Sequence, residues 1–373
     1  MLRNPNMRRS LAAGFALAAC IAGCNPEAQR QAGSQVASSN SAGEKRIIIL
    51  TNGNSPFWDA ARAGLQDADR ELKLGDVGFR AVLEVNDGTP QGQLDKLRQF
   101  ASQNDIVAVG ISATDAENVA IADEMRKLQE KGVKVVTIDS DVNRETGRDA
   151  RFAFIGTDNY LGGIELGRCA QGVNPDGGGY VTFVGLTGAQ NAIERIGGFA
   201  EGAGGGFEQL DGMGDEFSRT RARENVRNAL LNHPDKLTTL VGIWSYNAPA
   251  IVDVVKETDS RDKMTIVVFD AEPIAIEQMG DGMIDAMVVQ NPYQMGYQGV
   301  RLLKALVEGD QHVIDDMFPI YADEDGDLYD TGLKVVVPDD GSPLAADKFG
   351  ENTEFLKLGE FKDWLKKYGL TGS

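Results

Sequence analysis

Asp139 and Asp270 each close a short β-branched run, Val135-Val136-Thr137-Ile138 and Thr265-Ile266-Val267-Val268-Phe269. A carboxylate so placed can accept two hydroxyl hydrogen bonds, and such charge-assisted bonds are about twice as strong as neutral ones. Phe57 and Trp58, adjacent in Asn54-Ser55-Pro56-Phe57-Trp58, supply flat apolar faces. A neutral ring rich in hydroxyls calls for this combination: carboxylates as acceptors, amide or guanidinium donors, and aromatic surface for its C–H face. Polar residues follow other apolar runs too: Ser112 after 106–111, Ser245-Tyr246-Asn247 after 240–244, and Gln290-Asn291 after 286–289. Taken singly, each Asp also suits a helix N-cap, worth about 1 kcal/mol, and paired aromatics also suit a core. As a pair, Asp139 and Asp270 would also serve glycoside hydrolysis, which sets two carboxyl groups about 5–9.5 Å apart. His233 and His312, the only histidines, stand in poor settings for a zinc site or a Ser-His-Asp triad.

The elements that must position these groups are legible as alternation. From Arg46 onward, short Val- and Ile-rich runs (47–50, 80–85, 106–111, 135–138) alternate with amphipathic segments (56–72, 90–102, 116–131). A second series follows with runs at 153–155, 180–184, 240–244, 265–269 and 286–289, and helices that include 221–231, 248–257 and 293–308. Apolar strands separated by helices mean parallel sheets covered on both faces. The fold class is therefore α/β, with two doubly wound sheets sharing the chain. Open parallel sheets bind ligands outside the carboxyl ends of their strands, which is where the polar residues above fall.

The amino terminus reads as an export signal. Arg3, Arg8 and Arg9 precede the uncharged run Leu11-Ala12-Ala13-Gly14-Phe15-Ala16-Leu17-Ala18-Ala19-Cys20-Ile21. That run is short of the roughly 20 apolar residues that span a bilayer, and it suits the apolar core of a signal peptide. Ile21-Ala22-Gly23-Cys24 is similar to a bacterial lipobox, in which the cysteine is acylated and becomes the first residue. Leu17-Ala18-Ala19-Cys20 fits the same pattern, but Cys24 leaves a longer apolar stretch before the cut. Residues 1–23 are thus expected to be a lipoprotein signal peptide, and 24–45, rich in Gln, Ser, Ala and Asn, a flexible tether. The formal charge of -19, from 56 acidic against 37 basic residues, becomes more negative once the leader is lost. That argues against nucleic acid as a partner. With Cys24 acylated, Cys169 would be the one thiol left, a packed and reduced core residue.

Several stretches together resemble the periplasmic sugar-binding proteins of the ribose-binding type. They are Asn54-Ser55-Pro56-Phe57-Trp58, Val135-Val136-Thr137-Ile138-Asp139, Gly156-Thr157-Asp158-Asn159 ahead of Gly162-Gly163, Glu194-Arg195 before Gly198-Phe199, and Val267-Val268-Phe269-Asp270. The likeness runs from about Arg46 to Gly309 and keeps order and spacing. It implies that Phe57 and Trp58 stack on the sugar ring and that Asp139, Asn247, Asp270 and Gln290 bond its hydroxyls. It also implies that Arg195 donates to the ring oxygen or a hydroxyl and that Phe217 covers the other face. Ser112 stands where the ribose binders have Asn, and Ser140-Asp141 where they have Arg directly after the Asp. Shorter side chains leave room for a hexose or a differently configured pentose.

The resemblance further implies two lobes joined by a hinge that the chain crosses three times, near Phe152, Asn291 and Phe318, with closure around ligand as the working motion. The expected division is an N-terminal lobe of 46–152 plus 292–318, a C-terminal lobe of 153–291 plus 319–340, and a tail of 341–373. The implied protein is no enzyme. It is a monomer held to the membrane in the periplasm or cell envelope by its lipid anchor. It would pass a monosaccharide to the permease of an ABC transporter, without cofactor or metal. A sensory protein serving a chemoreceptor or histidine kinase, or a binder of a non-sugar small molecule, would share the architecture. In the tail, Phe355, Leu358, Phe361, Trp364 and Leu365 recur at helical spacing and predict one amphipathic helix over 354–367, docked on its own domain. The run Asp323-Glu324-Asp325-Gly326-Asp327 lacks EF-hand spacing and reads as a solvated loop, and the Gly177 and Gly204 clusters read as turns.

Overall fold

A computed structural model describes residues 43–373 apart from Pro56, Glu324 and Asn352. The expected signal peptide, Cys24 and nearly all of the tether lie outside the described residues. No helix among the described residues is long and apolar enough to cross a membrane.

Ile47, Ile48, Ile49 and Leu50 of β1 (Lys45–Leu50) are wholly buried. Their period of two sends Ile47 and Ile49 to one face and Ile48 and Leu50 to the other. The helix Phe57–Glu71 covers the first face through Phe57, Ala61, Leu65 and Ala68, joined by Met295, Leu302 and Leu303 of the helix Pro292–Glu308. The helices Pro90–Ala101 and Val119–Glu130 cover the second through Leu94, Leu97, Ile121 and Met125. With β2 (Phe79–Glu84), β3 (Ile106–Ile111), β4 (Lys134–Ile138) and β5 (Phe154–Gly156), this sheet has the order β5-β4-β3-β1-β2, all parallel.

The second sheet repeats that plan. It contains β6 (Gly178–Val184), β7 (Phe207–Gly214), β8 (Leu237–Gly242), β9 (Thr265–Phe269) and β10 (Ala286–Val289), in the order β10-β9-β8-β6-β7. Val181 and Phe183 face one apolar layer, Tyr180 and Val184 the other. Cys169 is buried in the latter layer and, among the described residues, makes no disulfide. In each sheet the chain reverses its winding between two neighbouring strands, β1 and β3 in one, β6 and β8 in the other. Doubly wound sheets open a crevice for ligand at such points.

The structure differs from the sequence expectation in several strands. The run at 153–155 was placed in the second sheet, but Phe154 and Ile155 of β5 pair with Thr137 and Ile138 of β4. β11 (Leu328–Asp330), in a stretch expected to belong to the other lobe, then pairs with β5. The chain therefore passes between the sheets after Gly156, after β10, and between Asp330 and β12 (Leu333–Val337), the first and last beyond Phe152 and Phe318. In the tail, Phe355 lies in β13 (Thr353–Lys357), which pairs with β12, and the amphipathic helix begins only at Leu358. Strand and helix both bring apolar side chains to one surface, so spacing alone could not place the junction. β7 was missed because its residues, FEQLDGMG, form a half-exposed edge strand with no apolar alternation.

The acidic run is not simply a solvated loop. Asp327 is 1% exposed and accepts from Arg151 Nη1 at 2.5 Å and Arg148 Nε at 2.9 Å. Arg151, buried, also grips Asp141 through Nε and Nη2. These guanidinium groups hold the Asp327 carboxyl below its ordinary range despite burial. The carboxylates tie the segment leading into β11 to the loop after β4.

Candidate functional site

Asp139 and Asp270 follow β4 and β9 in left-handed backbone, with φ of 66° and 64°. Neither caps a helix. The next helices begin at caps Asn143 and Glu272, so the N-cap alternative for both residues is overturned. Non-glycine residues seldom adopt this conformation, and where they do the strain is often tied to function. Here it turns both carboxylates into a cavity of ≈ 310 Å³, part of it open to solvent, between the two sheets.

Asp139 is 4% exposed and nearly surrounded by donors. Ser112 Oγ donates to Oδ2 at 2.8 Å, Asn52 Nδ2 at 3.5 Å, and Asn191 Nδ2 reaches both oxygens at 3.4 Å. Trp58 Nε1 donates to Asn52 Oδ1 at 3.2 Å and Trp244 Nε1 to Asn191 Oδ1 at 3.3 Å. A chain of indole, amide and carboxylate thus runs from the first sheet's loops to the second's. It meets at one carboxylate.

Asp270 has fewer partners. Gln290 Nε2 donates at 2.9 Å, and Arg195 Nη1 stands 3.7 Å away. Burial pushes Asp270 up to about 6 even with Arg195 opposite, and pushes Asp139 up too. Burial likewise lowers Arg195 from its ordinary range. Arg195 is held by Asn159 Oδ1 on Nε, by the carbonyl of Ile243 on Nη1, and by the Phe269 ring 3.8 Å below the guanidinium. Among the described residues its Nη2 has no hydrogen-bond partner, nor does Gln290 Oε1. Buried polar groups are almost always paired, so the Arg195 Nη2 is a donor open to a further acceptor in the cavity.

Local sequence explains how Arg195 gets there. Asn191 and Arg195 are four apart on the helix Gln190–Ala203 and so share a face. That helix lies directly on the helix Asn159–Val173. A Cβ on Gly198 would sit 2.1 Å from the carbonyl oxygen of Tyr160, and one on Gly163 would sit 2.3 Å from that of Arg195.

The aromatic walls come from both sheets. Phe57 and Trp58 meet edge to face at 5.2 Å. Phe217, with φ of 60°, lies 5.2 Å from Trp244 and 6.2 Å from Tyr246. Its ring reaches across the cleft onto Gly53 and Gly88, where a Cβ would come within 2.4 and 2.7 Å of it. The N–H of Ala116 also donates to the carbonyl of Gly188, so the cleft is closed.

Of the residues expected from sequence, Phe57, Trp58, Asp139, Arg195, Phe217 and Asp270 line the cavity. Ser112 and Gln290 stand behind the two carboxylates. Asn247, expected to meet a hydroxyl, instead accepts from the N–H of Trp244 and donates to Asp215 Oδ2 at 2.9 Å. Asp215 also accepts from Tyr246 Oη at 2.5 Å, is pushed up to about 6 by burial, and anchors the loop that carries Phe217. Asn52, Ser55, Ser245 and Tyr246, which the sequence places after strands without a role, also line the cavity, and so do Asn191 and Trp244, which it does not point to as site residues. Trp244 had been read as the end of a strand, but β8 stops at Gly242 and releases the indole into the cleft. Asn191 left a usable signal, its four-residue spacing from Arg195.

Residues 46–311 match the family described as a periplasmic binding protein domain, and the chain belongs to it. The ribose import binding protein of Salmonella typhimurium is 23% identical over 268 residues, 71% of this chain and 85% of that protein. The D-allose-binding periplasmic protein of Escherichia coli is 22% identical over 280 residues, 73% and 87% of the two chains. Among solved structures, a solute binding protein of an ABC transporter from Burkholderia graminis, in complex with D-arabinose, superposes with a TM-score of 0.68 at 23% identity. It covers 80% of this chain and 96% of its own. A glucose-galactose binding protein from Geobacillus stearothermophilus gives 0.67 at 22% identity, covering 79% and 97%. The fold is theirs: two parallel-sheet α/β lobes.

Proposed function

We propose that this chain is an extracytoplasmic solute-binding protein that captures one free pentose or hexose between its lobes and delivers it to an ABC transporter permease. The observation that carries the reading is the pairing of two buried carboxylates with an unsatisfied Arg195 Nη2 inside aromatic walls. Carboxylates accept from hydroxyls, the guanidinium donates to a ring or hydroxyl oxygen, and Trp58 and Phe217 supply surface for C–H faces. Charged ligands fit poorly. A cationic ligand would meet Arg195, and an anionic one two carboxylates. The space between Trp58, Phe217, Asp139 and Asp270 is narrow and suits one ring rather than an oligosaccharide.

In this reading the lobes are built around the two sheets, the helix Pro292–Glu308 belongs to the first, and the three passages between sheets form the hinge. Asp139 and Asp270 hold the ligand and do not turn it over. Cys24, acylated and left first once residues 1–23 are removed, supplies the membrane anchor, and the protein acts as a monomer. Relatives that import ribose or bind D-allose, and neighbours holding D-arabinose or D-fucose, support the substrate class. Titration with a panel of pentoses and hexoses by calorimetry, alongside thermal melting, tests it. A sugar at 100 times its Kd is expected to add about 2.7 kcal/mol of stability. Silence across the panel, with a response to amino acids or other non-sugar solutes, would overturn the assignment.

A further inference from the structure

The segment after the last helix lies outside the family match and beside the ligand cavity. The helix Leu358–Lys367 docks on the second sheet's core through Leu358, Phe361 and Leu365. Gly369, with φ of 66°, then reverses the chain. The N–H of Gly369 donates to the carbonyl of Lys366 and that of Leu370 to Leu365, a Schellman ending, with Leu370 packed on the same core as Leu365.

Beyond this turn the chain runs onto the loop that bears Asp270. Ser373, 3% exposed, exchanges backbone hydrogen bonds with Ala271 at 2.9 and 2.7 Å, and its Oγ donates to the carbonyl of Gln290 at 2.8 Å. Gly372 makes the approach possible. A Cβ there would stand 2.7 Å from the carbonyl oxygen of Ala271 and 2.8 Å from Pro273.

On its other side the segment meets the first lobe. Tyr368 packs on Tyr293 at 5.2 Å, and Tyr293 Oη donates to Asp67 on the helix Phe57–Glu71. Residues 369–373 enclose a second cavity with Phe57, Asp59, Ala60 and Ala63 of that helix. Phe57 is the wall common to both cavities.

We infer that residues 368–373 form a strap that positions Asp270 and Gln290 from behind and bridges the two lobes, so that it favours the closed cleft and slows release of ligand. The strap grips Ala271, next to Asp270, and the carbonyl of Gln290 itself, and its far contact is on the opposite lobe. Opening the cleft must therefore break the Tyr368–Tyr293 contact or pull Ser373 off Ala271. The ligand part of this inference rests on the sugar-binding reading; the bridging part does not.

The test compares the full chain with Gly372→Val, Tyr368→Ala and a chain shortened by residues 369–373, each first checked for an unchanged far-ultraviolet spectrum. Small-angle X-ray scattering without sugar is expected to show a larger radius of gyration in the variants. Stopped-flow fluorescence with D-ribose and D-allose is expected to show dissociation about tenfold faster, with Kd weakened to match. Tyr368→Ala removes only the first-lobe contact and keeps the test open should the shortened chain misfold. Scattering that matches the full chain for both Gly372→Val and Tyr368→Ala overturns the strap. Failure of the full chain to bind either sugar counts against those ligands and leaves the scattering result to decide bridging.

Discussion

Asp270→Asn should make the protein more stable and a weaker binder at once. Folding raises the Asp270 carboxyl from 3.8 to about 6, a rise that corresponds to about 3 kcal/mol against the ionised folded state. The sign follows from proton binding. Between about pH 4 and pH 6 the unfolded chain loses the proton while the folded one keeps it, so stability falls as pH rises and the full penalty stands above pH 6. An amide of the same shape keeps the bond from Gln290 Nε2 and carries no charge to desolvate. The variant is therefore expected to melt several degrees higher than the parent at pH 7.5 and at the same temperature near pH 4. Binding moves the other way. Two charge-assisted hydroxyl bonds become neutral, a loss of about 2 kcal/mol, or roughly thirtyfold in Kd. Calorimetric melts at the two pH values, with sugar titrations at pH 7.5, measure both. A lower melting temperature at pH 7.5, or unchanged affinity, refutes the reasoning.

Trp58→Ala should weaken sugar binding at least about tenfold, about 1.4 kcal/mol, through lost ring contact and the broken chain through Asn52 to Asp139; titration of the variant checks it. Sugar hydroxyls that donate to Asp270 lower its proton affinity, so binding near pH 6 should release a proton and weaken as pH falls below that value. Heats measured in buffers of different ionisation enthalpy reveal the proton, and a pH-independent Kd from 5 to 7.5 contradicts the assignment. Arg151→Ala leaves Asp141 and Asp327 buried without their shared cation and should cost about 3–5 kcal/mol. Chemical denaturation gives the difference, and a loss below 1 kcal/mol would show that water or Arg148 replaces the guanidinium.

The sequence by itself determined the two doubly wound sheets, because fully buried parallel strands must be apolar along their length and the helices between them must be amphipathic. It also placed Asp139 and Asp270 at strand ends and Phe57 and Trp58 near the start of the first helix, since position at an element's end is a local property. Only the tertiary structure decided which polar groups are spent inside the protein and which remain for a ligand. Asn247 and Asn191 are both helix-start amides after a strand, yet Asn247 is bonded to Asp215 away from the cavity while Asn191 lines it beside Asp139. The difference lies in what the neighbouring strand brings opposite, which no local pattern records. Pairing at sheet edges was likewise undecided: β5 and β11 are too short to carry a period, and β13 runs into a helix with the same apolar spacing. The strap is the extreme case. Gly372 and Ser373 acquire meaning only because the fold brings Ala271 and Gln290, some 80–100 positions earlier in the chain, within hydrogen-bond reach of Ser373.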